Sequence, residues 1–376
     1  MVMRNNEELN SIFDELAESL NISETMRNKA ESAYTALGEW IEGNEEGELA
    51  EVYPQGSFAL GTVVRPPNGE DLDYDIDLVC QLPGMFKCPS EEIKRFVGER
   101  IKEHGIYVDK LCPEGKRCWT LNYGSFHVDV LPCTDDHQRG GTAIRLTHKD
   151  PGTKVYSNRY SNPRGYVRWF EGRMGDSLLE AKRQLSAKNL CSIEDVPTFA
   201  VRTPLQKAVQ ILKHHRNLMF ESDKDAPISI IISTLAGMAY RGEGGTYDAV
   251  VGILDRMASY VSGDPGHYRI LSPADEDENF AERWNERPEK ATAFFTWLNK
   301  AKEDYFGLTD MRGLDSVARS LELSCGKAIA TRAMNRYGEH LHDARNSSAL
   351  FATSVGLTYS ASSTARTVPR HEFYGC

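Results

Sequence analysis

Three aspartates alternate in the run Asp73-Tyr-Asp75-Ile-Asp77-Leu-Val, and a fourth stands in Phe126-His-Val-Asp129-Val-Leu-Pro. Alternate side chains of a β-strand share a face, so Asp75 and Asp77 point the same way with Cα atoms about 6.6 Å apart. Carboxylates at that spacing repel each other unless a cation lies between them. Mg²⁺ fits, since it prefers carboxylate oxygens and binds together with substrate phosphates. In the second run Phe126, Val128 and Val130 alternate with His127 and Asp129, which puts Asp129 on the polar face of its strand. If the two strands are neighbours, three carboxylates converge and can hold two metals roughly 4 Å apart, as phosphoryl or nucleotidyl transfer requires. Asp73 shares the face of the pair and competes as a ligand, and His127 could line the same site. The plain alternative is that each aspartate is a solvent-facing strand residue.

Upstream stands Gly56-Ser57-Phe-Ala-Leu-Gly61-Thr62. Glycine lets backbone approach a phosphate closely, and Ser57 followed by helix formers would offer amide and hydroxyl donors to an anion. A Gly-Ser turn or helix cap reads the same way. The order carries more than any one motif: Gly-Ser, then an acidic pair about twenty residues on, then a single acid about fifty residues further.

These residues need strands beneath them and helices behind. Apolar positions at helical spacing predict a helix over residues 7–20 and a second over Ala30, Ala33, Leu37 and Ile41, with Ser23 as its N-cap. From about 51 to 135 short β-rich runs, including Leu72–Leu82 and Phe126–Leu131, flank a helix over Glu91–His104, as in a small mixed sheet with helices packed on it. Residues 139–175, rich in Gly, Asn and Arg, read as loops. Helices follow over Leu205–Leu218, Ile228–Tyr240, Ala291–Phe306 and Ser316–Gly338. From about 346 Ser, Thr and Ala dominate and predict a mobile tail. The expected fold is α+β and bilobed. Its parts are 1–48 as helices packing on both lobes, 49–200 as the catalytic core, 201–345 as a helical lobe and 346–376 as the flexible tail.

The composition, 40% hydrophobic and 26% charged over 376 residues, excludes collagen, wholesale disorder and a disulfide miniprotein. A net charge of −11 opposes a protein that coats long nucleic acid. That charge is uneven. Residues 1–50 hold 12 acidic and 3 basic residues, whereas 151–220 hold 12 basic and 5 acidic, leaving room for a local anion site. Arg159, Arg164, Arg168, Arg173, Lys207, Lys213 and Arg216 supply that positive field. No apolar stretch reaches the roughly 20 residues of a membrane span, and no signal peptide is visible. Eight cysteines without a CxxC pair read as reduced thiols of a cytoplasmic protein. His214 and His215, adjacent on one helix, cannot both face one ligand, and Tyr166, Trp169 and Phe170 read as core.

The motifs QGSFALGT, DYDIDLV and HVDVLP resemble the nucleotidyltransferases with a polymerase-β-like core. More closely they resemble the bacterial cyclic-oligonucleotide synthases related to cyclic GMP-AMP synthase and oligoadenylate synthetase, in the branch used for antiphage signalling. SNPRGYVRWF, TPLQKAVQILKHHR, PISIII and ENFAERW extend the likeness over about residues 50–300. The resemblance implies that Asp75, Asp77 and Asp129 coordinate two Mg²⁺ ions, with Mn²⁺ as a substitute, and that Gly56 and Ser57 hold the donor triphosphate. It implies that Lys207 and Ser229 reach the triphosphate from the second lobe, with Lys213 competing for the lysine role. Substrates would be ATP and other nucleoside triphosphates, GTP or pyrimidine nucleotides among them, and the product a cyclic di- or trinucleotide. A template-independent enzyme acting on RNA ends, protein or a small molecule is the alternative. The tail ending His371-Glu-Phe-Tyr-Gly-Cys376 would suit conjugation by an accessory ubiquitin-transfer-like protein.

Overall fold

The computed structural model describes residues 6–43, 50–65, 74–189, 192–193, 196–221, 223–353, 356–359, 361 and 365–370. Two helices open the chain, α1 (Asn6–Ser19) and α2 (Glu24–Glu42), and Ser23 caps the second by accepting from the Met26 amide at 3.3 Å. Next come β1 (Glu51–Pro54), the single turn α3 (Gly56–Ala59) and β2 (Tyr74–Gln81). After β2 the chain forms α4 (Ser90–Lys102) and α5 (Gly105–Val108), then β3 (Trp119–Asn122) and β4 (Phe126–Asp135). The sheet is completed by β5 (Ile144–Lys149) and β6 (Tyr156–Ser161).

The sheet order is β1-β2-β4-β5-β6, with β3 pairing β4 at one end. Only β2 and β4 run parallel, and the intervening α4 makes the crossover that a parallel pair requires. Even-numbered residues of both strands, among them Ile76, Leu78, Val128 and Val130, are fully buried against Ile93, Val97 and Ile101 of α4. The odd-numbered face carries the acids at its start and turns apolar at Val79 and Leu131.

The stretch expected to be loop contains β5, β6 and α6 (Pro163–Met174). Period-2 burial of Ile144 and Leu146 beneath long cationic side chains makes β5 a strand despite its composition. Asn162 caps α6 by accepting from the Gly165 amide at 2.9 Å, and Pro163 fills the first helical position. Tyr166, Phe170 and Met174 of α6, with Leu178 of α7 (Asp176–Asn189), are buried in the helical core, so the boundary expected at 200 falls near 162.

The second lobe comprises α8 (Pro204–Phe220), α9 (Ser229–Ala239), α10 (Thr246–Arg256), the hairpin β7 (Leu271–Ser272) and β8 (Asp275–Asn279), α11 (Glu282–Glu286) and α12 (Pro288–Phe306). It ends with α13 (Leu314–Cys325) and α14 (Lys327–Asn346). The single helix expected over 316–338 is broken at Gly326, whose φ of 80° no helix accommodates. Helix α1 lies in this helical core, with Phe13 edge-on to Tyr247 and Tyr305 at 5.0 and 5.5 Å, while α2 packs on the sheet core.

Beyond α14, strands β9 (Phe351–Thr353), β10 (Gly356–Thr358) and β11 (Arg366–Thr367) form a small antiparallel sheet. Leu350 and Thr358 are buried, and the Thr358 hydroxyl donates to Glu7 of α1 at 2.8 Å, so the tail is packed where a mobile segment was expected. The final residues 371–376 and Asp73 lie outside the described residues.

Candidate active site

The β2/β4 register places Asp77 directly beside Asp129 and Asp75 beside His127. Neighbouring strands stand about 4.8 Å apart, so the first two carboxylates share one patch of the sheet surface. Burial, then Asp129 and Asp75, raise the Asp77 carboxyl to about 6, against the opposing effect of Lys213. Asp129 is flanked on its other side by β3, where Thr120 is its register partner and donates its hydroxyl to Oδ1. Cys118 also hydrogen-bonds Asp129, and burial first, then Asp129, raises that thiol to about 11. Neither residue was anticipated; the alternation of Cys118 and Thr120 with buried Trp119 was the available signal. Asp75 is the most exposed of the three acids, with His127 Nδ1 3.9 Å from its Oδ1.

Among the described residues no three acidic, histidine or cysteine side chains close into a metal cage by themselves. Mg²⁺ keeps waters and takes substrate phosphate oxygens as ligands, so an open, mutually repelling carboxylate patch suits it better than a closed protein cage. The fit rests on Asp77, a buried carboxyl held in its ionised form only against two acidic neighbours, which a cation would relieve.

Above the acids sits the Gly56-Ser57 turn. The Gln55 amide donates to the Asp77 carbonyl at 2.8 Å, fixing α3 onto β2. Gly56 has φ of 61°, and a Cβ there would come 2.7 Å from Asp77 Oδ2. Only glycine lets the turn lie on that carboxylate. Ser57 is half-buried on the turn, and its carbonyl accepts from the Thr62 amide at 2.9 Å.

Helix α8 holds the loop that follows. Gln206 Nε2 donates to the Leu60 carbonyl at 3.0 Å, Gln210 Nε2 to Val63 at 2.7 Å and Lys213 Nζ to Thr62 at 2.8 Å. Gly61, with φ of 67°, has no room for a side chain, because a Cβ would lie 2.5 Å from the Gln206 amide nitrogen. Lys213 is buried, and desolvation first, then Arg216, lowers its ammonium to about 7 while Asp77 pulls the other way.

The two lysines weighed on α8 face different neighbours. Lys207 reaches away to Asp14 of α1 at 2.8 Å, whereas Lys213, six residues on and about 120° around the helix, lies within the field of Asp77. Ser229 opens α9 and accepts from Arg216 Nη2 at 2.8 Å, which ties it to α8. The other cations of the basic stretch do not converge. Arg164 pairs with Glu51, Arg173 donates to the Gly237 carbonyl at 2.7 Å, and Arg168 is exposed. Arg159 alone of that set of four arginines faces the cleft. His214 and His215 are buried, bonded to the Cys325 carbonyl at 2.8 Å and to Asp304 at 3.0 Å. Tyr166 and Phe170 are core, and Tyr166 exchanges a 2.8 Å hydrogen bond with Thr234.

A cleft of about 790 Å³ opens beside the turn, between the odd face of the sheet and the helical lobe. Its floor includes Gln55, Gly56 and Leu131, its helical wall Tyr166, Ile228 and Ile230, and its far side the β7-β8 hairpin. Arg117 and Arg283 enter it beside Arg159, and these two neighbours, after burial, depress the Arg117 guanidinium. The volume is that of a site for small ligands of nucleotide size.

A mixed sheet presenting acids on adjacent parallel strands, a Gly-Ser turn above them and a helical lobe closing a cleft defines a polymerase-β-like nucleotidyltransferase. Residues 8–173 match the family model described as Second Messenger Oligonucleotide or Dinucleotide Synthetase domain. Over 98% of its length the chain is 27% identical to a c-di-GMP synthase of Roseivirga ehrenbergii, covering 97% of that protein. Its fold is similar to the GTP complex of the nucleotidyltransferase CdnG of Bradyrhizobium diazoefficiens, with a TM-score of 0.70, 22% identity and coverage of 88% and 98% of the two chains. The cyclic AMP-GMP synthase DncV of Vibrio cholerae, in complex with nonhydrolyzable GTP, aligns with a TM-score of 0.53, 14% identity and coverage of 86% and 89%. Along nearly its whole length the chain is similar to bacterial cyclic-oligonucleotide synthases of the cGAS/DncV-like nucleotidyltransferase type. No helix among the described residues is long and apolar enough to cross a membrane.

Proposed function

We propose that the chain joins nucleoside triphosphates through phosphodiester bonds and closes the ring to a cyclic dinucleotide, releasing pyrophosphate at each step, as a second-messenger enzyme of bacterial antiphage defence. The observation that carries this reading is the β2/β4 register, which sets Asp77 against Asp129 directly beneath Gly56. Asp75, Asp77 and Asp129 are the residues that would hold two Mg²⁺ ions, which would supply charge neutralisation at the attacking and leaving oxygens. Gly56 and Ser57 would cradle the donor triphosphate from the sheet side. Lys213 and Ser229 would meet it from the helical side. Lys213 is suited to that task because burial lowers its ammonium to about 7, so an arriving polyanion would favour its charged form. Thr120, by donating to Asp129 Oδ1, fixes the orientation of that carboxylate and leaves its other oxygen to accept the proton of the attacking hydroxyl. Guanine is the base favoured by the near full-length similarity to a c-di-GMP synthase.

The test is incubation of the full chain with labelled GTP, ATP, CTP and UTP and Mg²⁺, followed by phosphatase. A phosphatase-resistant product with the mass of a cyclic dinucleotide supports the reading, and only linear, phosphatase-sensitive products contradict it. The role in defence is read by phage plating on a host that carries the native operon. Loss of protection with Asp75→Ala plus Asp77→Ala is expected.

A further inference from the structure

We infer that Glu278 selects guanine in the cleft, its carboxylate accepting from N1–H and N2–H of the base while the Arg117, Arg159 and Arg283 cluster donates to O6. The inference rests on the proposed use of nucleoside triphosphates and adds the group that discriminates among them.

Guanine alone of the four bases presents two adjacent donors on its pairing edge, with one acceptor beside them. A carboxylate next to guanidinium groups is the complement of that edge. Three acids of the β7-β8 hairpin line the cleft, and two are already committed. Arg139 lies 2.9 Å from Asp277 and 3.8 Å from Asp275, is also paired with Asp136 at 3.0 Å, and so straps the hairpin to the β4-β5 connection. Glu278 has a different environment. Its bonding partners are hydroxyls, Ser161 Oγ at 3.4 and 3.5 Å from its two oxygens and the side chain of Ser272. Hydroxyl partners fix the carboxyl without neutralising it, and each oxygen keeps a lone pair for a further donor.

The cations line the same cleft. Arg117 acts on Glu278 electrostatically and is itself crowded by Arg159 and Arg283, so at least one guanidinium of the cluster gains by meeting an acceptor. Ile228, 45% exposed at the cleft wall, and Leu131 on the floor give the flat base an apolar surface. Burial, then Asp275, raise Glu278 to about 7, so the carboxyl can carry a proton near neutral pH. Two donors from guanine draw that proton off; adenine, offering one donor and one acceptor, would instead pair with the protonated form.

The test is calorimetric binding of α,β-nonhydrolysable analogues of GTP, inosine triphosphate and ATP to the full chain at pH 8 with Mg²⁺. Inosine triphosphate lacks only the N2 amino group. The wild type should bind GTP roughly tenfold or more tightly than either competitor, because a missing donor leaves a desolvated carboxylate oxygen unpaired. Glu278→Gln should bring GTP and inosine triphosphate to within about twofold, and Glu278→Asp should keep part of the preference. A wild type that binds inosine triphosphate or ATP as tightly as GTP overturns the assignment, whether or not either variant folds. So does a folded Glu278→Gln protein that retains the full discrimination. Binding is read without turnover, so failure of the synthase reading would appear separately, as absence of any phosphatase-resistant product from the wild type.

Discussion

At the scale of single residues the site is a balance between repulsion and close approach. Gly56 rests on Asp77 with no space for a methyl group, and its φ of 61° costs any other residue about 1–2 kcal/mol. Gly56→Ala is expected to fold with a slightly lowered melting temperature and to lose at least about a hundredfold in product formation, because Asp77 must move. Glu278 supplies a pH test with a definite sign. Its folded value of about 7 lies above the ordinary 4.5, so the folded state keeps a proton that the unfolded chain has released. Its contribution is neutral below pH 4.5, becomes destabilising as pH rises from 4.5 to 7 and is fully destabilising above 7, by at most about 3 kcal/mol. Glu278→Gln should therefore gain stability relative to the wild type between pH 5 and 8 in thermal melts, and an unchanged difference across that range would refute the shift. The carboxylates and Gly56 were legible in the sequence because strand alternation and a Gly-Ser turn have fixed geometric meanings. Thr120 and Cys118 were not, because their approach to Asp129 depends on β3 pairing with β4, which no local pattern specifies.

At the scale of elements, α8 is the part that joins the lobes. Three of its side chains bind carbonyls of Leu60, Thr62 and Val63, so the loop after the Gly-Ser turn takes its shape from a helix nearly 150 residues away. Gln210→Ala removes the partner of a carbonyl at a cost of roughly 1–3 kcal/mol. It should raise KM for nucleotide more than it lowers kcat, since the turn loosens while the acids stay on their strands. The same helix explains the exchange of lysines. Periodicity placed both on α8 but could not tell which face met the sheet, and the acidic α1 captured Lys207 through Asp14. Lys213→Met should abolish most activity with the fold kept, whereas Lys207→Met should cost stability and leave kcat within a few fold. Steady-state kinetics beside melting curves separate the two. The strands and helix of 144–174 escaped composition-based reading because their polar residues line a cleft and an exposed sheet edge, where hydrophobic patterning is weakest.

At the scale of the whole molecule, a chain of net charge −11 still gathers Arg117, Arg159 and Arg283 at the cleft and Lys213 and Arg216 at the lobe junction. The acidic first fifty residues fold back as α1 and α2, one on each core, and α1 spends part of its charge on Lys207, Arg336 and His340. The bilobed arrangement was readable from the change in texture along the chain, although the helical core already begins with α6 and not near residue 200. The packed C-terminal sheet was not, since β10, to which β9 pairs, is held by contacts with α1, some 350 residues distant, rather than by its own composition. The proposed function depends on nucleotidyl transfer by the β2/β4 acids. It is tested most directly by comparing phosphatase-resistant product from labelled GTP in the wild type and in Asp75→Ala plus Asp77→Ala, at equal melting temperature and over a range of Mg²⁺. Mg²⁺-dependent product is expected in the wild type, with a loss of at least about a thousandfold in the variant. Product formed by the folded double variant at a comparable rate would contradict it.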